Sequence, residues 1–179
     1  MTTLKEGDKA PEFKGVDENG DAVQLSDFKG KKLILFFYPK DDTPGCTAAA
    51  CTLRDSYDVL KEQGFEILGV SPDSAEKHTK FINKHSFPFS LLADTDKEVL
   101  QQYGVWGEKS MFGKKYMGVN RTTFVIDEDG KIEKVAYILN KDLEIKNMIR
   151  NILPVGEEVK YEQGIKQSSK ANHLTYTFT

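Results

Sequence analysis

Two cysteines, Cys46 and Cys51, are the residues of this chain best suited to chemistry at a single atom, and they are its only cysteines. They are spaced C-x4-C and follow the turn Tyr38-Pro39-Lys40-Asp41-Asp42-Thr43-Pro44-Gly45. Thr43-Pro44 reads as a helix start, because threonine suits the N-cap and proline suits the first helical position. Cys46 then falls in the first turn, where backbone N–H groups lack intrahelical acceptors and the helix dipole is positive. That position favours an anion, so the expectation is a thiolate, the nucleophilic form of the side chain. The competing reading is two packed thiols in a helix, since cysteine is often buried. On an ideal helix the pair stands roughly 140° apart, with Cα atoms about 8–9 Å apart. A disulfide needs less than about 7 Å, so any cycle that joins them must unwind the first turns.

The rest of the chain narrows the setting. Its 179 residues suit one domain with a real core, and the formal charge is only -3. No basic block alternates with aromatics, which argues against nucleic acid. No stretch approaches a membrane span, and the N-terminal residues carry no apolar signal region. With two cysteines and no export signal, the expected location is the reducing cytoplasm, where a structural disulfide is unusual. His78, His85 and His173 lack metal-ligand spacing and read as surface or satisfied residues, so no metal is expected.

The elements that must position the cysteines follow from periodicity. Residues 33–38 form a continuous apolar run, as in a central strand covered on both faces. A helix is predicted over 44–63, ended by Gly64. A strand follows at 65–70, a helix from Ser74 through Lys84, a short strand at 89–92 and a helix at 98–103. Residues 104–118 read as a long glycine-bearing loop, in which Trp106 is packing rather than chemistry. Hairpins are predicted at 13–16 with 22–25, around Asn19-Gly20, and at 122–127 with 131–138. A last helix spans 142–153 and stops at Pro154. Beyond it, Leu174, Tyr176 and Phe178 alternate with threonines, as in an edge strand; a poorly ordered tail is the other reading. The result is an α/β fold: a central mixed β-sheet flanked by helices, with an N-terminal β-hairpin. The domain is expected over 1–153, with 154–179 as an extension. The strand–helix–strand crossover of residues 33–70 is expected to be right-handed, with the Cys46 helix starting at the carboxyl end of its strand.

Pro39-x-x-x-Thr43-x-x-Cys46 resembles the active-site motif of the peroxiredoxins. The wider stretch from Phe37 to Thr47, with Cys51 following, resembles the bacterioferritin comigratory protein (PrxQ-type) subfamily. A second block agrees: Tyr103 to Lys109, Gly113 to Gly118, and Arg121-Thr122-Thr123-Phe124-Val125-Ile126-Asp127. The resemblance spans about residues 4–153 and implies a thioredoxin-like fold and a thiol peroxidase serving antioxidant defence. It implies that Cys46 is the peroxidatic cysteine and Cys51 the resolving one, joined during the cycle by a disulfide. Pro39 and Thr43 match the residues that shape the pocket, and Arg121 matches the arginine beside the thiolate. The implied partners are hydroperoxide substrates and thioredoxin as electron donor. No cofactor is implied, and the subfamily suggests a monomer or weak homodimer. Taken without the resemblance, Thr43 is also an N-cap, Pro39 a strand end and Arg121 a surface ion-pair partner. Ala49 stands where many relatives carry glutamate, and Thr52-Leu53 replaces a common Asp-Phe pair. Two other readings remain at this point. One is a thiol–disulfide oxidoreductase, which normally uses a Cys-x-x-Cys that is absent here. The other is a redox-sensing binding protein.

Overall fold

A computed structural model describes residues 1–138, 142–157 and 159. Strands β1 (Lys14–Val16) and β2 (Ala22–Gln24) pair as the expected N-terminal hairpin. The chain continues as β3 (Lys32–Phe37), α1 (Pro44–Asp55), α2 (Tyr57–Glu62), β4 (Phe65–Ser71), α3 (Ala75–His85), β5 (Ser90–Ala93) and α4 (Glu98–Gln102). It closes with β6 (Trp106–Met111), β7 (Lys114–Val119), β8 (Thr122–Ile126), β9 (Ile132–Tyr137) and α5 (Asp142–Ile152). Five strands form the central sheet in the order β5-β4-β3-β8-β9. β3 pairs parallel with β4 and antiparallel with β8, so the sheet is mixed.

β3 is apolar throughout because both faces of the sheet are covered. Ile34 and Phe36 join one core with residues of α1, α2, α3 and α5. Leu33, Leu35 and Phe37 join the other, with Val99 and Leu100 of α4 and with Phe13 and Ala10 of the N-terminal segment. Fully burying each such side chain is worth about 1.5–3 kcal/mol. The antiparallel partnership of β8 matters most for the site. Phe37 at the end of β3 faces Thr122 at the start of β8, so Arg121 arrives where β3 hands over to α1.

Two expectations are corrected. Residues 104–118 are not a loop: Trp106 pairs with Val119 and Met111 with Lys114, a regular hairpin. Phe112 and Gly113 both have positive φ, 51° and 75°, as a two-residue type I′ turn requires. Residues 111–117 are exposed, so no apolar alternation announced the strands. The predicted helix over 44–63 is also interrupted, at Ser56. The Ser56 Oγ donates to Thr52 O at 2.8 Å, and Thr52 Oγ1 donates to Ala48 O at 3.0 Å. Such hydroxyl back-bonding competes with the helix ladder and bends it. The edge strand predicted at 174–178 lies outside the described residues. Among the described residues no helix is long and apolar enough to cross a membrane.

Candidate active site

The site begins where β3 leaves the sheet. Backbone Tyr38 N–H still donates to Val70 O at 3.1 Å, and its phenol O–H donates to Asp41 Oδ1 at 2.6 Å. Asp41 Oδ2 lies 2.6 Å from His78 Nδ1, and His78 Nε2 donates to Leu92 O at 3.1 Å. A carbonyl only accepts, so the proton on Nε2 is fixed by its partner. Burial first, then the neighbouring Asp41 charge, push the Tyr38 phenol well above the ordinary tyrosine range. Asp41 N–H donates to Asp73 Oδ2 at 2.7 Å. The next residue, Asp42, takes a left-handed conformation (φ 59°), with its carboxylate 2.8 Å from Lys84 Nζ. These bonds tie the segment between β3 and α1 to α3. His78 is satisfied, as its spacing led one to expect, but fully buried and central to the anchor. No local signal reveals this, because its partner lies 37 residues away.

Thr43 occupies the N-cap with extended backbone (φ -90°, ψ 149°), and Pro44 opens the helix as expected. The hydroxyl behaves differently from a usual cap. It makes no side-chain cap bond and donates instead to Lys40 O at 3.0 Å. The first intrahelical bond runs from Thr47 N–H to Thr43 O at 2.9 Å. In that geometry the N–H groups of Gly45 and Cys46 lack helical acceptors, and the cap hydroxyl leaves them uncovered. Half-buried Pro39, which has no N–H, lies just ahead of this turn.

Cys46 is buried, with only 2% of its surface exposed, beside Ala49 and Ala50 in the core under α1. Arg121 reaches the same turn. A Cβ on Gly45 would collide with the guanidinium, with Nη2 at 3.1 Å and Cζ at 3.2 Å. Glycine at 45 is therefore what lets the cation lie against the first turn of the helix. Arg121 is held in place by its backbone, since Ile138 N–H donates to Arg121 O at 2.9 Å. Among the described residues Arg121 makes no ion pair, and its head group packs on α1 instead.

Lys109, from β6, is a second cation here, and sequence reasoning gave it no role. Burial and the neighbouring Arg121 hold its pKa below the usual lysine range, while Cys46 acts in the opposite direction. Cys51 lies further along α1, partly exposed. Burial pushes its thiol up from the usual range, against the pull of Arg54. Both cysteines are free and lie on one uninterrupted stretch of helix.

The AhpC/TSA family model matches residues 6–135, which includes both cysteines, Thr43, Lys109 and Arg121. The chain belongs to that family. Among its relatives it is 51% identical over 135 residues to peroxiredoxin Bcp of Escherichia coli (strain K12), spanning 75% of this chain and 86% of that protein. It is 49% identical over 132 residues to peroxiredoxin Bcp of Bacillus subtilis (strain 168), spanning 74% and 84%. The fold is similar to that of a mutant of Xylella fastidiosa PrxQ, with a TM-score of 0.79 and 25% identity over 85% of this chain and 97% of that one. A Xanthomonas campestris bacterioferritin comigratory protein, solved in work on its alkyl peroxide reduction activity, superposes with a TM-score of 0.74 at 27% identity, over 84% and 96%. This AhpC/TSA protein is thus a peroxiredoxin with a thioredoxin-like fold, and its reaction class is that of a peroxidase.

Proposed function

We propose that Cys46 is the sulfur that reduces hydrogen peroxide and organic hydroperoxides, and that Cys51 resolves it. The observation that carries this reading is the Arg121 guanidinium packed on Gly45, in the turn of α1 that holds Cys46. A sulfur electron pair forms an S–O bond as the O–O bond breaks. The departing oxygen leaves with the bonding pair and takes a proton, giving water or an alcohol. The guanidinium and the uncovered N–H groups of the first helical turn stabilise negative charge before and during that step. Thr43, whose hydroxyl oxygen still has accepting lone pairs, orients the hydroperoxide, and Pro39 walls off water.

The Cys46 sulfenic acid then condenses with the Cys51 thiol, releasing water and forming a disulfide. About 8–9 Å separates the two Cα atoms on an intact helix, so α1 must open first. Thioredoxin supplies the dithiol that restores both cysteines by exchange. The setting is cytoplasmic antioxidant defence, with residues 1–153 as the working domain, 154–179 as an extension, and a monomer or weak homodimer as the assembly.

The test is peroxide consumption with thioredoxin and thioredoxin reductase. Cys46→Ser is expected to abolish turnover; wild-type rates in that variant would remove Cys46 from the role. Cys51→Ser is expected to oxidise once, accumulate sulfenate and stall. Sustained turnover there would mean that another thiol resolves the sulfenate.

A further inference from the structure

The hairpin β6–β7 carries a second cation inward, onto the carbonyl of buried Val119 just ahead of Arg121. Lys109 folds its aliphatic stem across β7 rather than out to solvent: a Cβ on Gly118 would stand 3.1 Å from Lys109 Cδ. A side chain at 118 would crowd the stem on that path. The ammonium then donates to Val119 O at 3.0 Å, two residues ahead of Arg121. Lysine ordinarily spends its length reaching water. Here it is spent on bringing a cation inward, toward an arginine that already lies on the Cys46 turn. Two cations held close repel, and partial burial adds to the cost. Such an arrangement is stable where negative charge collects between them.

We propose that Lys109 is a positioning residue for the peroxide step, a second cation that backs Arg121 in holding negative charge on the Cys46 sulfur. This rests on Cys46 being the attacking sulfur. Lys109 keeps its proton throughout; the leaving oxygen is protonated by water. The charged or titratable groups that act on this region are Arg121 from the segment between β7 and β8, packed on Gly45, Lys109 from β6 and Tyr38 at the end of β3, while α5, packed on α1, carries Glu144, Lys146 and Arg150. Glu108 and Lys115 pair with each other at 3.2 Å on the exposed part of the hairpin. The Tyr38 phenol, bonded to Asp41, stays protonated across the pH range of the assay.

The experiment measures the second-order rate of Cys46 oxidation by hydrogen peroxide from pH 4 to 9, by rapid quench and mass spectrometry. Wild type is compared with Lys109→Met, Lys109→Gln and Lys109→Arg. Both neutral variants are expected to slow oxidation about tenfold at neutral pH. They are also expected to move the acidic midpoint of the pH–rate curve upward, because a removed cation no longer favours the anion. Lys109→Arg should restore both. A midpoint that stays put while the rate falls uniformly overturns the proposal, since a merely structural lysine would do that. An arginine variant as slow as the methionine variant overturns it too. Cys46→Ser is the separate control: continued oxidation there would sink the assignment of the sulfur, whatever Lys109 does.

Discussion

Cys46 and Cys51 share one helix, one solvent and one residue type, yet their surroundings are opposites. Cys46 sits at the open, positive end of α1, buried, with the Arg121 guanidinium on the preceding residue. Cys51 lies beyond the first turn, where helical N–H groups are spent on the ladder, and burial there favours its protonated thiol. The same chemical group thus stands once beside a guanidinium and free helical N–H groups and once where burial disfavours its charge. A spacing of five residues carries a thiol from one regime to the other, because helix-terminus effects fade within a turn.

The contrast can be broken from either end. The largest effect is expected for Arg121→Gln, which removes the guanidinium from the Cys46 turn. Cys46 oxidation should slow about 10²- to 10³-fold, read as the rate of sulfenate formation. Gly45→Ala leaves the arginine in the chain but drives a methyl into its head group, so the cation must withdraw. About 10²-fold or less is expected, and the double variant should be no slower than Arg121→Gln alone. Additive losses would show that glycine 45 serves something other than room for the guanidinium.

The Cys51 side sharpens the comparison with a smaller effect. In Cys46→Ser, alkylation of Cys51 by iodoacetamide at pH 8.5 should run a few-fold slower in the folded protein than in denaturant, because less of it is thiolate. The lag should shrink as pH rises through the raised pKa. Equal rates would mean that burial does not protect this thiol.

The smallest effect concerns the anchor before α1. Hydrogen bonds from Lys84, then His85, hold the exposed Asp42 carboxyl below the usual carboxylate range. A depressed carboxylate stabilises the fold above its unfolded pKa, and that contribution is lost as pH falls through the folded pKa. Asp42→Asn should therefore lower Tm slightly at pH 7, and the difference from wild type should vanish as pH falls below the ordinary carboxylate range. A gap that persists in acid would point to the backbone conformation of Asp42 instead.

Much of this was legible in the chain itself. The run Leu33 to Tyr38, the Thr43-Pro44 helix start and the Asn19-Gly20 turn each carry a local physical signature, and each forms as read. The regions that escaped are those whose cause is not local. β6–β7 is exposed on both faces at its outer end, so it has no hydrophobic alternation to read. The break at Ser56 depends on hydroxyls competing with a ladder that good helix formers otherwise favour. Thr43 has the right type for a cap, but Lys40 O draws its hydroxyl away. The Tyr38–Asp41–His78 chain and the inward path of Lys109 exist only once distant segments meet. Arg121 was legible only through resemblance, because nothing in its own neighbourhood tells which helix it will lie against.

That dependence on distant segments has a consequence for the newly made chain. β8 slots in beside β3 although β4 and β5, the partners on the other edge, come earlier in sequence. A chain emerging from the ribosome can lay down β3, α1 and β4 with Cys46 already on its helix and no guanidinium beside it. If Arg121 has the role proposed for it, the sulfur stays unarmed until roughly seventy-five later residues have been made and docked, and an unfinished molecule carries little of the reactivity of the finished one.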